Sequence, residues 1–149
     1  TLELCRARFK HHNVILKISE FPNFSVLARE AQLAQVLLNL LNNSFDAVED
    51  LQNKWVSIEV LDREKTFQIR VTDSGSGIPP EIQDKIMYPF FTTKEIGKGT
   101  GLGLSISKGI VEEHHGKLFI DSKSEHTCFV IEFEKYLDPV MSPSGQSVA

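Results

Sequence analysis

The chain has 149 residues, of which 41% are hydrophobic and 24% are charged, and this length fits one globular domain of ordinary size. Its formal net charge of -4 at pH 7 argues against a nucleic-acid-binding protein, because a net acidic surface repels the phosphate backbone. The longest nearly apolar stretch, residues 36–41, is far shorter than the ~20 residues of a membrane span.

The chain begins at Thr1 without a charged and then apolar leader, so we expect it to be a piece of a longer protein. Its two cysteines are too few for a disulfide framework and favour a reducing compartment. We therefore expect a cytoplasmic domain that makes no membrane contact of its own.

The first elements in chain order are two short strands and a long helix. Residues 14–18 are rich in β-branched residues, and residues 25–27 offer a second extended segment after Pro22. From Glu30 to Glu49 the apolar residues recur at helical spacing, which predicts the strongest helix of the chain.

Two further strands are predicted at Trp55–Leu61 and Thr66–Thr72, joined by a polar hairpin loop at residues 62–65. Residues 73–80 hold two glycines and two prolines, which prevent either element from continuing. A short helix is predicted at Glu81–Met87, before Pro89.

The last part of the chain opens with glycines on alternate positions between residues 92 and 103, which predicts a mobile loop. A helix is predicted at Leu104–His115, with Gly116 as its C-cap. Residues 117–121 and 127–133 predict a closing hairpin. We expect a domain over residues 1–137 and a disordered tail at 138–149, where Pro, Ser and Gly leave little to bury.

One face of the long helix is polar and contains three asparagines within five residues. It could be a solvated face, although asparagine is a poor helix former. Alternatively, its oxygens project into a site that needs hard oxygen ligands, which suits Mg²⁺. The residues of this face are Gln32, Gln35, Asn39, Asn42, Asn43 and Asp46.

Asp73 follows a predicted strand and precedes Gly75 and Gly77. This pattern is typical of an ordinary Asx turn. It also suits a carboxylate that accepts a hydrogen bond from an amino group, with the glycines making room for a flat ring.

The glycine-rich segment is either a simple connector or an anion site. It carries Lys94 and Lys98 and leads to a helix N-terminus, where free N–H groups favour a phosphate. It lacks the spacing of a P-loop, and the chain holds no G-x-G-x-x-G dinucleotide fingerprint.

Together, residues 39–47, 73–77, 89–94 and 97–104 strongly resemble, in order and spacing, the N, G1, F and G2 boxes of the ATP-binding domain of sensor histidine kinases, in the GHKL superfamily. The resemblance covers residues 27–133. It implies a two-layer α/β sandwich of the Bergerat type, with a mixed sheet, helices on one face and a flexible lid over ATP.

The resemblance also assigns roles to individual residues. Asn43 matches the asparagine that ligates Mg²⁺, and Asp73 matches the aspartate that recognises the adenine amino group. Asn39, Lys94 and Lys98 would be catalytic, and Thr127 resembles the threonine that supports the aspartate, although the glycines usual before it are missing. The residues assigned to the ATP site are Asn39, Asn43, Asp46, Asp73, Gly75, Gly77, Ile78, Phe91, Thr92, Thr93, Lys94, Lys98, Gly99, Thr100, Gly101, Leu102, Gly103, Leu104 and Thr127.

Two positions depart from patterns within the superfamily. Asp46 stands where many histidine kinases place a basic residue that reaches the phosphates, which leaves a water-mediated role at Mg²⁺ open. Asn39 stands four residues before Asn43, where hydrolysing relatives such as gyrase B and MutL carry a glutamate base. Because an amide cannot take a proton from water, spontaneous ATP hydrolysis should be slow.

None of the five histidines resembles the phosphoacceptor of the family. The resemblance therefore implies transfer of the γ-phosphoryl group to a histidine on a separate dimerisation and acceptor domain, with a response regulator as a further partner. A binding module without transferase activity, an ATPase and a serine kinase of the anti-sigma type are the alternatives.

Overall fold

The structure is a computed structural model that describes residues 2–20, 22, 28–95 and 99–135. Within these residues the chain forms both helices and strands. The elements are α1 (Leu2–His11), β1 (Ile15–Ile18), α2 (Glu30–Val48), β2 (Trp55–Asp62), β3 (Thr66–Asp73), α3 (Pro80–Gln83), α4 (Gly103–Glu113), β4 (Lys117–Ile120) and β5 (Cys128–Glu134).

The five strands form one sheet in the order β1-β2-β3-β5-β4. β1 and β2 are parallel, whereas the other neighbours are antiparallel. In this register Thr72 pairs with Cys128, so Asp73 at the end of β3 lies beside Thr127 at the start of β5. The predicted mixed sheet and both predicted hairpins are confirmed.

The core lies between one face of the sheet and the helices α1, α2 and α4. On β2, Val56, Ile58 and Val60 are buried and alternate with more exposed neighbours, as expected of a strand with one covered face. The apolar stripe of α2 includes Leu40 and Leu41, which are fully buried in the same core. The predicted two-layer α/β fold is therefore confirmed.

Helix α1 has no counterpart among the predicted elements. Cys5 and Phe9 are buried four residues apart, and this single i, i+4 pair is the signal that the sequence offered for it. The ring of Phe9 packs 5.4 Å from that of Phe45, which joins α1 to α2.

The helix predicted at Glu81–Met87 is shorter than expected, because α3 ends at Gln83. Beyond it, the N–H groups of Lys85 and Tyr88 donate to carbonyls three residues back. Pro89 disfavours helical geometry at Tyr88, the residue before it, so the helix does not resume there.

The helix predicted at Leu104–His115 ends early, since α4 closes at Glu113. The left-handed residue after it is His115, with φ of 58°, and not Gly116. The predicted C-cap role of Gly116 is therefore wrong. A Cβ at Gly116 would lie 2.6 Å from the Phe133 ring, so the glycine is needed for close packing.

Some predictions fall outside the described residues, namely the strand at residues 25–27 and the tail at 138–149. The remaining predicted bounds agree with the structure within two residues. None of the helices in the described part of the chain is long and apolar enough to cross a membrane.

Candidate functional site

An open cavity of about 540 Å³ lies between α2, the segment that follows β3 and the segment that leads into α4. Most residues predicted for the site line it. The lining consists of Asn39, Asn42, Asn43, Asp46, Ala47, Asp73, Gly77, Ile78, Pro79, Ile82, Ile86, Phe91, Thr92, Thr93, Lys94, Gly99, Thr100, Gly101, Gly103, Leu104, Thr127 and Phe129. Of the other predicted residues, Gly75 and Leu102 are not in the lining, and Lys98 lies outside the described residues.

One end of the cavity, called here the Asp73 end, is formed by a buried carboxylate. Asp73 is only 1% exposed, and its Oδ1 accepts a hydrogen bond of 2.8 Å from the N–H of Gly75. A Cβ at Gly75 would lie 2.7 Å from that oxygen. Glycine is therefore required behind the carboxylate, where it shapes the turn although it does not line the cavity.

Burial raises the pKa of Asp73 because it disfavours the charged carboxylate. The Gly75 N–H and the hydroxyls of Ser44 and Thr127 oppose this shift in part. The Ser44 hydroxyl nevertheless makes no hydrogen bond of ordinary geometry within the described residues. Asp73 itself lines the cavity, and because a carboxylate has several acceptor sites, it can accept a further hydrogen bond from a ligand with an amino group.

His126 supports the Asp73 end from behind, and the sequence patterns did not single it out for this role. Its Nδ1 lies 3.0 Å from the carbonyl oxygen of Gly75, and its ring meets the Trp55 ring edge-on at 5.0 Å. Both backbone polar groups of Gly75 are therefore engaged, its N–H by Asp73 and its carbonyl by His126, and this holds the turn that follows Asp73.

The other end of the cavity, called here the Asp46 end, carries the amides of α2. Asn43 lines the cavity, and its side chain makes no hydrogen bond in the described part of the chain, which leaves its oxygen available to a ligand. Asn42 accepts a hydrogen bond of 2.8 Å from Arg8, and Asn39 donates one of 2.9 Å to Ser107.

Asn39 is packed tightly against the start of α4. A Cβ at Gly103 would lie 2.3 Å from its Oδ1. Because Asn39 also binds Ser107, it fixes α4 against α2 as well as lining the cavity.

Charged groups at the Asp46 end are already paired. Lys94 Nζ lies 2.5 Å from Asp46 Oδ2, and Arg8 Nη2 lies 3.4 Å from Asp46 Oδ1. Asp46 thus faces two cations. Arg8 was not among the predicted site residues, because it lies in the unpredicted helix α1.

The segment that carries Lys94 is anchored at its base. Phe90 donates its N–H to the carbonyl of Gly101 at 2.9 Å. Gly101 has φ of 67°, and a Cβ there would lie 2.5 Å from the carbonyl carbon of Phe90. No other residue type fits this position without strain.

The N-terminus of α4 opens onto the cavity. Its N-cap, Leu102, provides no side-chain cap, and Gly103 and Leu104 line the cavity. Because the first N–H groups of a helix have no partner within it, this end favours an anion.

Apolar residues that were not predicted complete the wall. Ile82 and Ile86 lie four residues apart on the turns that follow Pro79, and Phe129 comes from β5. Spacing of this kind predicts a covered face, but it does not distinguish core from cavity.

The oxygen donors at the Asp46 end suit Mg²⁺, which takes one or two protein oxygens and keeps the rest of its shell as water or phosphate. Asn43 offers an amide oxygen, and Asp46 offers a carboxylate. No group of three or more His, Cys, Asp or Glu side chains that could hold a metal occurs among the described residues. Because these residues offer few oxygen donors, they suit a metal that enters the cavity together with a phosphate-bearing molecule.

Residues 28–137 match the family described as "Histidine kinase-, DNA gyrase B-, and HSP90-like ATPase". The chain is 41% identical over 105 residues to sporulation kinase A of Bacillus subtilis, which covers 70% of this chain and 17% of the relative. It is 43% identical over 105 residues to the two-component sensor PprA of Pseudomonas aeruginosa, covering 67% and 11%. The chain thus spans less than a fifth of these two relatives.

Solved structures show the same fold. The catalytic domain of histidine kinase ThkA has a TM-score of 0.75 at 32% identity, covering 89% of this chain and 87% of that one. The same kinase in complex with the response regulator protein TrrA has a TM-score of 0.73 at 29% identity, covering 89% and 37%.

Proposed function

This chain belongs to the histidine kinase-, DNA gyrase B- and HSP90-like ATPase family, and we propose that it binds Mg-ATP and delivers the γ-phosphoryl group to a histidine on a separate helical domain. The observation that carries the proposal is the cavity itself. It joins a buried carboxylate to an end that holds a free amide, a lysine and an open helix N-terminus.

The Asp73 end would bind the adenine. A carboxylate oxygen would accept a hydrogen bond from the adenine amino group, which guanine does not present at that position. The apolar side chains of Ile78, Ile82 and Ile86 would pack against the flat ring. Base selection would therefore rest on one buried acceptor.

The Asp46 end would bind the phosphates. Lys94 would pair with a phosphate oxygen, and the N–H groups at the start of α4 would donate to another. The resemblance gives Lys98 the same kind of role. Asn43 would ligate Mg²⁺, and the metal would neutralise charge on the phosphate oxygens.

In the reaction, an imidazole nitrogen of the acceptor histidine attacks the γ-phosphorus, and a nitrogen–phosphorus bond forms. The bond from that phosphorus to the oxygen bridging the β-phosphate breaks, and ADP leaves with that electron pair. The imidazole proton passes to solvent. This chain contributes mainly positioning and charge neutralisation.

Asn39 supports transfer over hydrolysis. Its amide is engaged with Ser107 and cannot accept a proton from water. The partners proposed for the parent protein are therefore an acceptor-helix domain and, downstream, a response regulator. Residues 1–137 would act as the catalytic domain, with residues 138–149 as a tail outside it.

A thermal melt with Mg-ATP and with Mg-GTP tests the binding step. A dissociation constant of ~10–100 μM would add about 1.4–2.7 kcal/mol at 1 mM ligand. At about 2–4 °C per kcal/mol, Mg-ATP should raise the melting temperature by several degrees, and Mg-GTP should not. Equal shifts, or no shift, would contradict the assignment of Asp73.

Phosphoryl transfer is then measured with ATP labelled in its γ-phosphate and an acceptor-helix domain added separately. We expect an acid-labile label on the acceptor that is lost when its histidine is replaced. Binding of Mg-ATP without transfer would favour the binding module, and rapid release of phosphate would favour the ATPase.

A further inference from the structure

A single arginine from α1 bridges three residues at the Asp46 end of the cavity. Arg8 Nη1 donates to Asn42 Oδ1 at 2.8 Å, and Nη2 lies 3.4 Å from Asp46 Oδ1. The guanidinium carbon lies 4.0 Å above the centre of the Phe45 ring. This stacking holds the planar group in place between its two polar partners.

The carboxylate of Asp46 is divided between two cations. Arg8 contacts Oδ1, whereas Lys94 contacts Oδ2 at 2.5 Å. Lys94 lines the cavity, but Arg8 does not. The two cations are therefore not equivalent, since only Lys94 is placed to meet a ligand inside the cavity.

A polyphosphate entering this end would meet Asp46 as a like charge. If Lys94 turned to the phosphates, it would leave Asp46 without its nearer cation. Arg8 would then be the positive charge that remains on the carboxylate. Like charges left unpaired at close range disfavour binding, so the site needs a second cation that stays in place.

We propose that Arg8 is a positioning residue of the nucleotide site, which keeps Asp46 neutralised so that Lys94 can leave this carboxylate for the phosphates of ATP. The inference rests on the proposed function, because it concerns the phosphate end of that same site. Arg8 acts through Asp46 and Asn42 and does not contact the nucleotide.

A purely structural role for Arg8 makes a different prediction. If Arg8 only stacked on Phe45 and held α1 against α2, its loss would lower stability and weaken every ligand to the same extent. A role through charge weakens phosphate-bearing ligands selectively, and it depends on the charge of Asp46.

A double-mutant cycle separates these roles. Arg8→Met keeps a long apolar side chain over Phe45 and removes the charge, and Asp46→Asn removes the carboxylate. Mg-ATP affinity is measured by calorimetry for the two single variants, the double variant and the unchanged chain, and adenosine affinity is measured by NMR titration.

We expect Arg8→Met to weaken Mg-ATP about fivefold to tenfold, and adenosine by about twofold or less. In the Asp46→Asn background the same change should weaken Mg-ATP by about twofold or less, because no carboxylate remains to be neutralised. The loss of any direct role of Asp46 at the metal is common to Asp46→Asn and the double variant, so it cancels when these two are compared.

Arg29→Met is the matched control. Arg29 also pairs with a carboxylate, Glu113, at 2.7 Å, but neither residue lines the cavity. We expect this variant to bind Mg-ATP as the unchanged chain does. If Arg8→Met lowers the melting temperature below the assay range, Arg8→Gln replaces it in the same cycle.

Three results would overturn the inference: unchanged Mg-ATP affinity in Arg8→Met, an equal loss in the Asp46→Asn background, or an equal loss for adenosine. Failure of the unchanged chain to bind Mg-ATP would instead overturn the proposed function, and the inference with it. The two failures are therefore distinguishable.

Discussion

Asp73 at one end of the cavity is 1% exposed, whereas the side chains of Asp46 and Lys94 at the other end are 31% and 34% exposed. Asp73 ends a central strand and is surrounded by fixed groups. Asp46 and Lys94 sit on a helix face and an irregular segment, and they are paired with each other.

This difference separates two modes of recognition. At the Asp73 end the acceptor is in position before any ligand arrives, and burial of its charge is a cost to the free protein. At the Asp46 end, ion pairs between partly exposed groups are weak enough to exchange partners. The four variants and conditions below test this contrast, in order of the size of their expected effects.

Asp73→Asn should weaken ATP binding by about 100-fold or more. The oxygen of the substituted amide can still accept from the Gly75 N–H, as Asp73 does now. The amide nitrogen would then face the adenine amino group, and two donors would meet. Calorimetry with Mg-ATP measures the loss.

Asp84→Asn is the control for this change, because Asp84 is exposed and does not line the cavity. The melting temperature of the unliganded Asp73→Asn protein should not fall, since a costly buried charge is removed. Undiminished ATP affinity would remove Asp73 from the proposed recognition of adenine.

Gly101→Ala should destabilise the domain by about 2 kcal/mol, because an L-residue is strained at this φ and its Cβ would meet the backbone of Phe90. Gly109→Ala is the matched control. A Cβ at Gly109 meets nothing within 4 Å, and alanine is the better helix former there by about 1 kcal/mol.

Urea unfolding of both glycine variants measures the two free energies. Equal stability of the two variants would show that the contact between Phe90 and Gly101 does not hold the base of the segment.

Asn43→Ala should weaken Mg-ATP about tenfold, and metal-free ADP much less, because the removed oxygen is proposed to bind the metal. Calorimetry with and without Mg²⁺ makes the comparison. Gln35→Ala, on the same polar face of α2 but outside the lining, serves as the control. Equal losses for both nucleotides would argue that Asn43 is no metal ligand.

The smallest effect that we expect is a pH dependence of stability due to Asp73. Burial raises its pKa in the folded state. Its contribution to the free energy of unfolding is therefore fully present below the unfolded pKa, and it is lost as pH rises through the folded pKa.

Urea unfolding of the unchanged chain and of Asp73→Asn between pH 7 and pH 4 isolates the contribution of Asp73 to the free energy of unfolding. Relative to Asp73→Asn, the unchanged chain should gain stability as pH falls from 7 towards 4. Asp121, whose pKa is lowered by the hydrogen bond from Arg70, acts in the opposite direction, but it is common to both proteins. A constant difference between them would contradict the shift at Asp73.

Much of the fold and the site could be predicted because local patterns determine them. The leucines that recur at helical spacing predicted α2, and the turn residues predicted where the strands of the two hairpins end. Residues 39–47 and 73–77 supply both ends of the cavity, and each of these segments is short and contiguous.

The contacts that escaped prediction join distant parts of the chain. Arg8 meets Asn42 and Asp46 from 34 and 38 positions away, and His126 meets Gly75 from 51 positions away. Such pairs depend on how the helices and strands pack against each other, and the spacing of residues along the sequence does not determine that packing. The same holds for Gly116. Its position after a predicted helix indicated a C-cap, but the glycine is required by its close packing against Phe133.

The hydrogen bond from Phe90 to Gly101 also bears on how this protein can change its length. Ten positions separate these two residues, and residues inserted among them would lengthen a loop whose two ends are already joined by this hydrogen bond. Doubling the length of such a loop costs only about 0.6 kcal/mol in closure entropy. Insertions that leave the cavity-lining residues in place would therefore leave the stability of the domain almost unchanged, so the length of the chain between Phe90 and Gly101 can vary in evolution while the sheet and the buried carboxylate stay as they are.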